Sequence, residues 1–422
     1  MNKLSSHVLV GENQDTNFIY LMNIYTGCSV KVSRRIFKDV ETIENNDEIM
    51  AFLDSEGFCE NTANLIQEVY DEESKQLNIT FLIHENCNFR CTYCYEKFEK
   101  NAMEREVIDG VINYIAKRIQ DDSRLEHIHL AWFGGEPLLN LKGIEYISEN
   151  VIRLCEISNL SYSSDITTNG FLLNRRIYEK LTKLQVTNYQ ITIDGNQEHH
   201  DSQRVLKNGK GTYQRIIDNL LDISKNTKDT NLIALRTNVA PDNFESMPEH
   251  ITKLISLFGE DERFDLNFHN VGNWGDKCID IIKNNVALEL SELTVSLGGK
   301  SEGILWNLMP NSYCYAGKKN NFVIGSDGMV YKCTVLLYDE RNHIGNLENG
   351  KLKIDDKKES LWVADKMTDR CFSCPIGTAC LNKKCPALLL SKKVENCLYN
   401  HEELNRMLKL MDQQNLFTYT VA

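Results

Sequence analysis

The stretch Cys87-Asn88-Phe89-Arg90-Cys91-Thr92-Tyr93-Cys94 places three cysteines within eight residues. Thiolate sulfur is a preferred ligand of iron–sulfur clusters, Zn²⁺ and Cu(I). Three thiolates do not complete a tetrahedral site on one ion, but they can hold three irons of a [4Fe–4S] cluster and leave the fourth iron open. The alternative is packing, because positions i, i+4 and i+7 also share one side of a helix. Because reactivity usually decides the presence of cysteine, the spacing favours a metal centre.

The spacing Cys87-x3-Cys91-x-Tyr93-Cys94 resembles the signature of the radical S-adenosylmethionine (SAM) superfamily. The resemblance implies that the amino and carboxylate groups of SAM chelate the open iron. It implies that the reduced cluster cleaves SAM to a 5′-deoxyadenosyl radical, which removes a hydrogen atom from the substrate. It also implies that Tyr93 lies beside the adenine, and that an external donor such as flavodoxin or ferredoxin supplies the electron.

Length and composition limit the class of protein. The chain has 422 residues, 42% of them hydrophobic, which is enough for a large domain and one or two smaller ones. Its net charge of −13 argues against a general nucleic-acid binder. The sequence lacks both a long apolar stretch for a membrane span and the apolar core of a secretory signal at residues 1–10. We therefore expect a cytoplasmic location, and we expect the fourteen cysteines to bind metal rather than form disulfides.

Strand and helix patterns alternate from Leu77 to Val271. Predicted strands cover residues 77–83, 127–133, 165–168, 189–193, 232–239 and 264–271, and predicted helices cover 104–120, 141–157, 174–184, 213–224 and 244–258. Such alternation produces a parallel sheet with right-handed crossovers. The sequence therefore predicts an α/β fold, a partial (β/α)6 TIM-like barrel over residues 77–271, with its active site at the C-terminal ends of the strands.

Two motifs follow the second and third predicted strands. Gly134-Gly135-Glu136-Pro137 resembles the GGEP motif of the family, which implies that Gly134, Gly135 and Glu136 bind the SAM amino group. An ordinary glycine turn is the alternative. The segment 167–170, with sequence Thr-Thr-Asn-Gly, resembles the TNG segment of these enzymes or is a polar turn.

The fourth and fifth predicted strands carry further candidates. Thr192 and Arg204 have the spacing of a hydroxyl–arginine pair that contacts SAM in sulfatase-maturing relatives, and an arginine fork suits the SAM carboxylate. A surface salt bridge is the alternative for Arg204. Asn238 and Val239 are weaker candidates near the adenine.

The C-terminal cysteines are spaced as Cys314-x13-Gly328-x4-Cys333, then Cys371-x2-Cys374-x5-Cys380-x4-Cys385, and finally Cys397. This pattern resembles the SPASM extension, which carries two auxiliary [4Fe–4S] clusters, although the family usually has three residues rather than four before the sixth cysteine. The resemblance assigns Cys314, Cys333 and Cys385 to the first auxiliary cluster and Cys371, Cys374, Cys380 and Cys397 to the second, so that three clusters are expected in all. Structural zinc is the alternative.

The first auxiliary cluster would then have three protein ligands. Cys278 or another group completes it, or its fourth iron is open to a substrate thiolate. The remaining cysteines, Cys28, Cys59 and Cys155, are interpreted as small core residues.

Residues 1–76 differ in pattern from the rest. We expect strands at 18–22, 29–32 and 58–60 and helices at 36–40 and 46–54. The order is similar to small winged-helix modules that recognise the leaders of precursor peptides, whose exposed strand edge can pair with an extended peptide; a cap on the barrel is the alternative. Beyond the barrel we expect a connector at 272–313, the SPASM domain at 314–400 and a final amphipathic helix at 401–422.

These features together favour a maturase of ribosomally made peptides. In sulfatase-maturing relatives an aspartate follows the second SPASM cysteine and acts as the base, whereas this chain has Thr334, and we assign no catalytic residue. We expect thioether crosslinking of the sactipeptide or ranthipeptide type on a precursor peptide with a leader sequence. Carbon–carbon crosslinking and sulfatase-maturase-like oxidation are alternatives, and a non-catalytic zinc-binding scaffold is an alternative of another class.

Overall fold

The computed structural model describes residues 3–12, 16–59, 62–272, 274, 286–364, 367–383, 385–390, 397 and 399–421. Contacts divide the chain into two compact units. The first unit comprises residues 1–73, 304–318 and 363–422, and the second comprises residues 74–303 and 319–362. Within the described residues no helix is both long and apolar enough to cross a membrane.

The strands, numbered in chain order, are β1 (Val8–Gly11), β2 (Phe18–Asn23), β3 (Ser29–Ser33), β4 (Gln76–His84), β5 (His127–Gly134), β6 (Ser161–Thr168), β7 (Val186–Thr192), β8 (Leu232–Val239), β9 (Phe264–Asn270), β10 (Asn321–Ile324), β11 (Met329–Tyr331), β12 (His343–Glu348), β13 (Lys351–Ile354) and β14 (Tyr419–Val421).

The α-helices are α1 (Val40–Glu44), α2 (Asp47–Ser55), α3 (Thr62–Ser74), α4 (Arg105–Asp121), α5 (Leu141–Ser158), α6 (Arg175–Lys183), α7 (Gln197–Gln203), α8 (Tyr213–Asn226), α9 (Met247–Phe258), α10 (Ala287–Ser296), α11 (Asp356–Val363), α12 (Asp369–Phe372), α13 (Gly377–Cys380), α14 (Pro386–Leu390) and α15 (His401–Gln413).

The second unit is built on one ten-stranded sheet in the order β13-β12-β11-β10-β4-β5-β6-β7-β8-β9. The six predicted barrel strands are confirmed as β4 to β9, and all neighbours among them pair in parallel. The five predicted helices between them are confirmed as α4, α5, α6, α8 and α9. The α/β partial barrel is therefore the observed fold of this unit.

The sheet is longer than the six strands that the sequence predicted. A partial barrel leaves the outer edge of β4 unpaired, and β10 pairs in parallel with that edge. β11, β12 and β13 then continue the sheet as an antiparallel meander. Residues 321–354, which were predicted within the SPASM region, thus extend the barrel sheet.

The strands of the barrel have two unlike faces. On β5, Ile128, Leu130 and Trp132 are fully buried, whereas His127 and His129 on the alternate face are only partly buried. Because side chains alternate across a strand, the apolar set packs under the helices and the polar set lines the inside of the barrel. The inner face is therefore polar where a ligand would bind.

The first unit contains a four-stranded sheet in the order β1-β2-β3-β14. β1, β2 and β3 pair antiparallel, as hairpin-linked strands do, and β14 joins β3 in parallel. The predicted strands at 18–22 and 29–32 and the predicted helix at 46–54 are confirmed. Cys28 and Cys59 pack against the hydrophobic core of this unit, as expected.

Two local predictions in this unit were wrong. The predicted helix at 36–40 begins only at Val40, because Asp39 caps it by accepting a hydrogen bond from the Thr42 amide. The predicted strand at 58–60 is a turn at residues 58 and 59, and Glu60 lies outside the described residues. Gly57 turns the chain there with φ of +81°, a conformation that glycine adopts readily.

The final amphipathic helix, predicted over 401–422, is confirmed as α15 over His401–Gln413, but the prediction was wrong at its end, where Tyr419–Val421 form β14. Asn400 and Glu403 form a reciprocal capping box at its start. Leu404, Met407 and Leu408 lie on its buried face. The expected helix of the 272–313 connector is α10.

Candidate active site

The three-cysteine loop follows β4 and forms backbone hydrogen bonds with the last residue of α7 and the segment that follows it. The Arg90 amide donates to the Val205 carbonyl at 2.8 Å, and the Thr92 amide donates to the Gln203 carbonyl at 3.0 Å. The Arg90 side chain reinforces the turn, since Nη1 donates to the Cys87 carbonyl at 2.8 Å. The cysteine loop is therefore held by backbone pairing at the C-terminal end of the barrel sheet.

The environment of Cys87 suits a metal-bound thiolate. The Phe89 amide lies 3.3 Å from Cys87 Sγ, and Asn169 Nδ2 lies 3.7 Å from it. Burial and, to a lesser extent, the nearby charges of Glu136, Cys91 and Cys94 raise the pKa of Cys87 to about 12, although the hydrogen bond from the Phe89 amide lowers it. A bound iron replaces the thiol proton and so removes this cost.

The donor set fits a cluster rather than one ion. Among the described residues no three His, Cys, Asp or Glu side chains converge as a single metal ion requires. A [4Fe–4S] cluster needs no such convergence, because each cysteine binds a different iron. Three neighbouring thiols with N–H donors aimed at one sulfur therefore fit a four-iron cluster.

Glu136 joins the GGEP and TNG segments. Its buried carboxylate accepts hydrogen bonds from Thr168 Oγ1 at 2.7 Å, from the Asn169 amide at 2.8 Å and from the Leu138 amide at 3.0 Å. Burial raises its pKa, although these donors lower it. The TNG segment is thus more than a polar turn, since Asn169 also reaches Cys87.

Gly134 and Gly135 are needed for close packing against the base of the cysteine loop. Gly134 has φ of +118°, and a Cβ on it would lie 2.6 Å from the His84 carbonyl oxygen. A Cβ on Gly135 would lie 2.7 Å from the backbone of Asn86. The glycines therefore let two strand ends meet, in addition to any contact with a ligand.

Tyr93 is the centre of a buried polar network. Its hydroxyl hydrogen-bonds to Asp194, receives a hydrogen bond from Arg204 Nη1 at 2.5 Å and another from Asn238 Nδ2 at 3.2 Å. Arg204 is 7% exposed, so the surface salt-bridge reading is wrong. Burial would lower the pKa of Arg204, but Tyr93, Cys91 and Asp194 raise it, and the guanidinium stays charged.

A cavity of about 240 Å³ opens beside this network, and Tyr93, Asp194, His199 and Asn238 are among its lining residues. Val239 is fully buried on the opposite face of β8, so the weak expectation for Val239 is not supported. The position beside Tyr93 and Asn238 suits a ligand with a planar ring and hydroxyl groups.

Arg236 is a candidate that the sequence reasoning missed. It lies opposite Thr192 in the register of β7 and β8. Its Nε donates to Asn238 at 3.0 Å, while its two terminal nitrogens have no hydrogen-bond partner among the described residues. A charged residue inside the strand Leu232–Val239 was the available signal, because a buried charge needs a partner. Arg236 also lowers the pKa of His269 to about 3, with burial contributing less.

The C-terminal cysteines fall in both units. In the first unit, burial raises the pKa of Cys374, and the neighbouring Cys397 and Cys371 raise it further, so these three lie near one another. Cys380 ends α13 and influences the pKa of Tyr399. The four cysteines assigned to the second auxiliary cluster are thus in one unit.

The cysteines assigned to the first auxiliary cluster are divided. Cys314 and Cys385 belong to the first unit and Cys333 to the second, and their shared cluster stays a prediction. Asn342 fixes the loop at Cys333 by accepting from its amide at 2.9 Å and donating to its carbonyl at 2.8 Å. Cys278 lies outside the described residues. Cys155 is 1% exposed within α5 and is a core residue, as expected.

Comparison with protein families identifies the class. Residues 81–254 match the model described as the Radical SAM superfamily, and these residues hold the cysteine loop, the GGEP motif and Arg204. Residues 81–254 therefore form a radical SAM domain, which speaks against a non-catalytic zinc scaffold.

Two curated relatives are similar over most of the chain. The radical SAM cyclopropyl synthase TigE of Paramaledivibacter caminithermalis is 23% identical over 91% of this chain and 87% of its own. The cysteine-type anaerobic sulfatase-maturating enzyme of Clostridium novyi is 26% identical over 62% of this chain and 74% of its own.

Solved structures share the fold. The structure of anSMEcpe with AdoMet and the Cp18Cys peptide has a TM-score of 0.58 and 19% identity, covering 81% of this chain and 98% of that one. SuiB of Streptococcus suis with S-adenosylmethionine has a TM-score of 0.51 and 14% identity, covering 94% of this chain and 100% of that one. The chain thus shares the fold of these two structures.

Proposed function

We propose that this enzyme matures a precursor peptide by joining a cysteine sulfur to a carbon of the same peptide. The observation that carries the proposal is the combination of a radical SAM site with a second group of clustered cysteines in the first unit. Two similar structures hold peptides: SuiB has been solved with the precursor peptide SuiA, at a TM-score of 0.50, and anSMEcpe with the Cp18Cys peptide.

The reaction has a simple balance. Thioether formation removes a hydrogen atom from carbon, a proton from the thiol and one electron from the joined product. Bound SAM and its cluster supply the radical that takes the hydrogen atom. The electron requires a one-electron acceptor, for which an auxiliary iron–sulfur cluster is suited, and this need accounts for additional cysteine ligands.

The residues at the barrel end would divide the work of binding SAM. Cys87, Cys91 and Cys94 would hold the cluster, and Gly134, Gly135 and Glu136 would present acceptors to the amino group. The cavity beside Tyr93 would take the adenosine.

The SAM carboxylate would bind between β7 and β8. Thr192 and Arg236 are register neighbours, and the Thr192 hydroxyl and the terminal nitrogens of Arg236 lack partners among the described residues. A guanidinium whose two terminal nitrogens make no other hydrogen bond is a strong site for a carboxylate. Arg204 would contribute by holding Tyr93 and Asp194 in place, since its Nη1 is already bonded to Tyr93.

The cysteine clusters complete the proposed cofactor set. Cys371, Cys374, Cys380 and Cys397 would bind one auxiliary [4Fe–4S] cluster, and Cys314, Cys333 and Cys385 would bind the other. Counting the SAM-binding cluster, the enzyme would hold three.

The N-terminal sheet offers one edge for a leader peptide. β14 occupies the outer edge of β3, whereas the outer edge of β1 has no partner strand among the described residues. An extended leader could pair with β1 by backbone hydrogen bonds and bring the substrate segment close by tethering.

Sulfatase-maturase-like oxidation is the second candidate, favoured by the similarity to the Clostridium novyi enzyme. Thr334 stands where those relatives have an aspartate. Because threonine has no carboxylate, that base is missing at this position. Thioether formation is therefore preferred.

Co-expression with each short cysteine-containing peptide encoded beside the gene tests the proposal. A thioether removes two hydrogen atoms and one free thiol from the peptide. Loss of mass without loss of a thiol would indicate carbon–carbon crosslinking, and a carbonyl in place of the cysteine thiol would indicate sulfatase-type oxidation. As a control, Cys91→Ala enzyme should leave every peptide unchanged.

A further inference from the structure

A line of hydrogen-bonding side chains lies inside the barrel, on the partly exposed faces of β5 and β6. In order from the N-terminal end of the strands these residues are Ser161, His127, Ser163, His129 and Asp165. His127 lies opposite Ser161, and His129 lies opposite Ser163, in the parallel register. The alternate residues Leu130 and Ile166 are buried on the other face, which places this line on the inside.

The contacts along the line are continuous. His127 Nδ1 is 2.7 Å from Ser161 Oγ, and His127 Nε2 is 2.8 Å from Ser163 Oγ. The same Ser163 oxygen is 2.8 Å from His129 Nδ1, and His129 Nε2 is 2.9 Å from Asp165 Oδ2. Both nitrogens of each imidazole therefore have an oxygen partner.

Two hydrogen-bond polarities satisfy these contacts. In one, every hydrogen points toward Asp165, and the carboxylate accepts from His129 Nε2. In the other, a protonated Asp165 donates to His129, and the hydrogens point toward Ser161, whose hydroxyl donates to the Glu126 carbonyl at 3.0 Å. Conversion of the second polarity into the first moves one proton from Asp165 to Ser161, because each group passes on the proton it holds.

The register partners of this line on β4 and β7 are uncharged. On β4, Gln76 lies opposite His127 and Asn78 lies opposite His129. On β7, Asn188 lies opposite Asp165. These three strand partners are neutral, so none of them fixes the protons in one place.

The two ends of the line lie at opposite ends of β6. Ser161 is exposed at the start of β6. Asp165 lies three residues before Thr168, the residue that binds Glu136, which is about 10 Å along the strand. The line therefore connects the space beneath the SAM motifs with solvent at the opposite end of the barrel.

We propose that Asp165, His129, Ser163, His127 and Ser161 form a proton relay that carries the thiol proton of the substrate cysteine out of the barrel. The inference deepens the proposed function and rests on it. For each thioether the C–H hydrogen atom leaves with the 5′-deoxyadenosyl group, the electron goes to an iron–sulfur acceptor, and the S–H proton is transferred to Asp165. The proton then reaches solvent at Ser161.

A route to the N-terminal end of the barrel strands is useful because SAM and the peptide would fill the C-terminal end. When both are bound, they would exclude water from the end of the barrel nearest Asp165. The imidazoles suit the transfer, since an unperturbed histidine exchanges protons near neutral pH. Burial lowers the pKa of His127, and His129 lowers it further, which favours rapid release of a proton from His127.

The test is His129→Gly in the full-length reconstituted enzyme, with the peptide that the unaltered enzyme crosslinks. Single-turnover crosslinking should become about tenfold slower or more, as for loss of a proton-transfer group. The solvent deuterium isotope effect should increase, and added imidazole should restore the rate by filling the gap. SAM cleavage without peptide should not change.

Isosteric variants keep the test informative if glycine disturbs folding. Asp165→Asn and Ser163→Ala should slow crosslinking and raise the isotope effect. Ser164→Ala is the matched control, because the Ser164 hydroxyl binds the Gln185 carbonyl on the other face of β6, and it should crosslink at the normal rate.

The possible failures are distinguishable. If the unaltered enzyme crosslinks no peptide, the proposed function fails and the relay fails with it. If it crosslinks, and Asp165→Asn and His129→Gly do so at the same rate and isotope effect, only the relay is overturned. A third outcome is that the variants are slow, added imidazole does not restore the rate, and the isotope effect is unchanged. This outcome would assign these residues a structural role and would likewise overturn the relay.

Discussion

Asn169 donates a hydrogen bond to Cys87 Sγ at 3.7 Å while its own backbone amide binds Glu136 at 2.8 Å. One residue thus contacts a proposed cluster ligand and the carboxylate of the GGEP motif. Hydrogen bonds to ligand sulfurs set the reduction potential of iron–sulfur clusters. The geometry of β6 is therefore connected to the electronic properties of the cluster.

Asn169→Ala should lower the reduction potential of the SAM-binding cluster, because a donor that stabilises the reduced, more negative state is lost. A redox titration followed by electron paramagnetic resonance measures this shift. Asn150→Ala, which removes a side-chain bond to the Tyr146 carbonyl in α5, is the control. An unchanged potential would assign Asn169 a purely structural role.

Replacement of Cys87, Cys91 and Cys94 by alanine should remove about four of about twelve irons, the content of three four-iron clusters, and should abolish SAM cleavage. Iron and sulfide analysis of the anaerobically reconstituted protein, with assay of 5′-deoxyadenosine, gives both results. SAM cleavage by this variant would refute the central assignment.

Arg236→Gln and Arg204→Ala should weaken SAM binding for different reasons. Arg236→Gln removes the two terminal nitrogens that are proposed to bind the carboxylate, whereas Arg204→Ala releases Tyr93 and Asp194. Calorimetry should show that each variant binds SAM less favourably by about 1.5–3 kcal/mol, the value of a hydrogen bond to a charged group. The iron content should not change. Arg175→Ala, which removes an exposed pair with Glu179, should bind SAM normally.

Much of the barrel was predictable because its signals are local. Leu77 to Ile83 forms an apolar strand, the helices have regular apolar faces, and the motifs stand at strand ends. The pairing of β10 with β4 and of β14 with β3 was not predictable. These strands are distant in sequence, and tertiary contacts rather than local patterns determine which edges they join. Asn169 and Arg236 were missed or undervalued for the same reason, since their roles depend on what the fold brings beside them.

Asp265→Asn should stabilise the second unit at alkaline pH. Burial raises the pKa of Asp265 to about 7 despite a hydrogen bond from the Glu302 amide. A carboxyl group whose pKa is higher in the folded state contributes its full stability below the pKa of the unfolded state, near 3.8. This contribution is lost as the pH rises through the folded-state pKa of about 7. Each pKa unit corresponds to about 1.4 kcal/mol.

Thermal unfolding between pH 5 and pH 8 tests this expectation. The unaltered protein should lose stability across this interval faster than Asp265→Asn, and the variant should be the more stable of the two at pH 8. Asp222→Asn, an exposed carboxylate on α8, is the control. Parallel pH profiles for the protein and Asp265→Asn would contradict the raised pKa.

Cys278→Ala tests whether the first auxiliary cluster has an iron that is open to substrate. The cysteine count motivates it: with Cys371, Cys374, Cys380 and Cys397 on one cluster, Cys314, Cys333 and Cys385 remain for the other. An open iron is a Lewis acid that favours thiolate over thiol, so it would bind the cysteine that is to be coupled.

If the site is open, Cys278→Ala should keep its iron and its crosslinking activity. The precursor should then perturb the spectrum of this cluster, and a precursor with serine in place of cysteine should not. Loss of both the cluster and the activity in Cys278→Ala would show instead that Cys278 is the fourth ligand and that the cluster only transfers electrons.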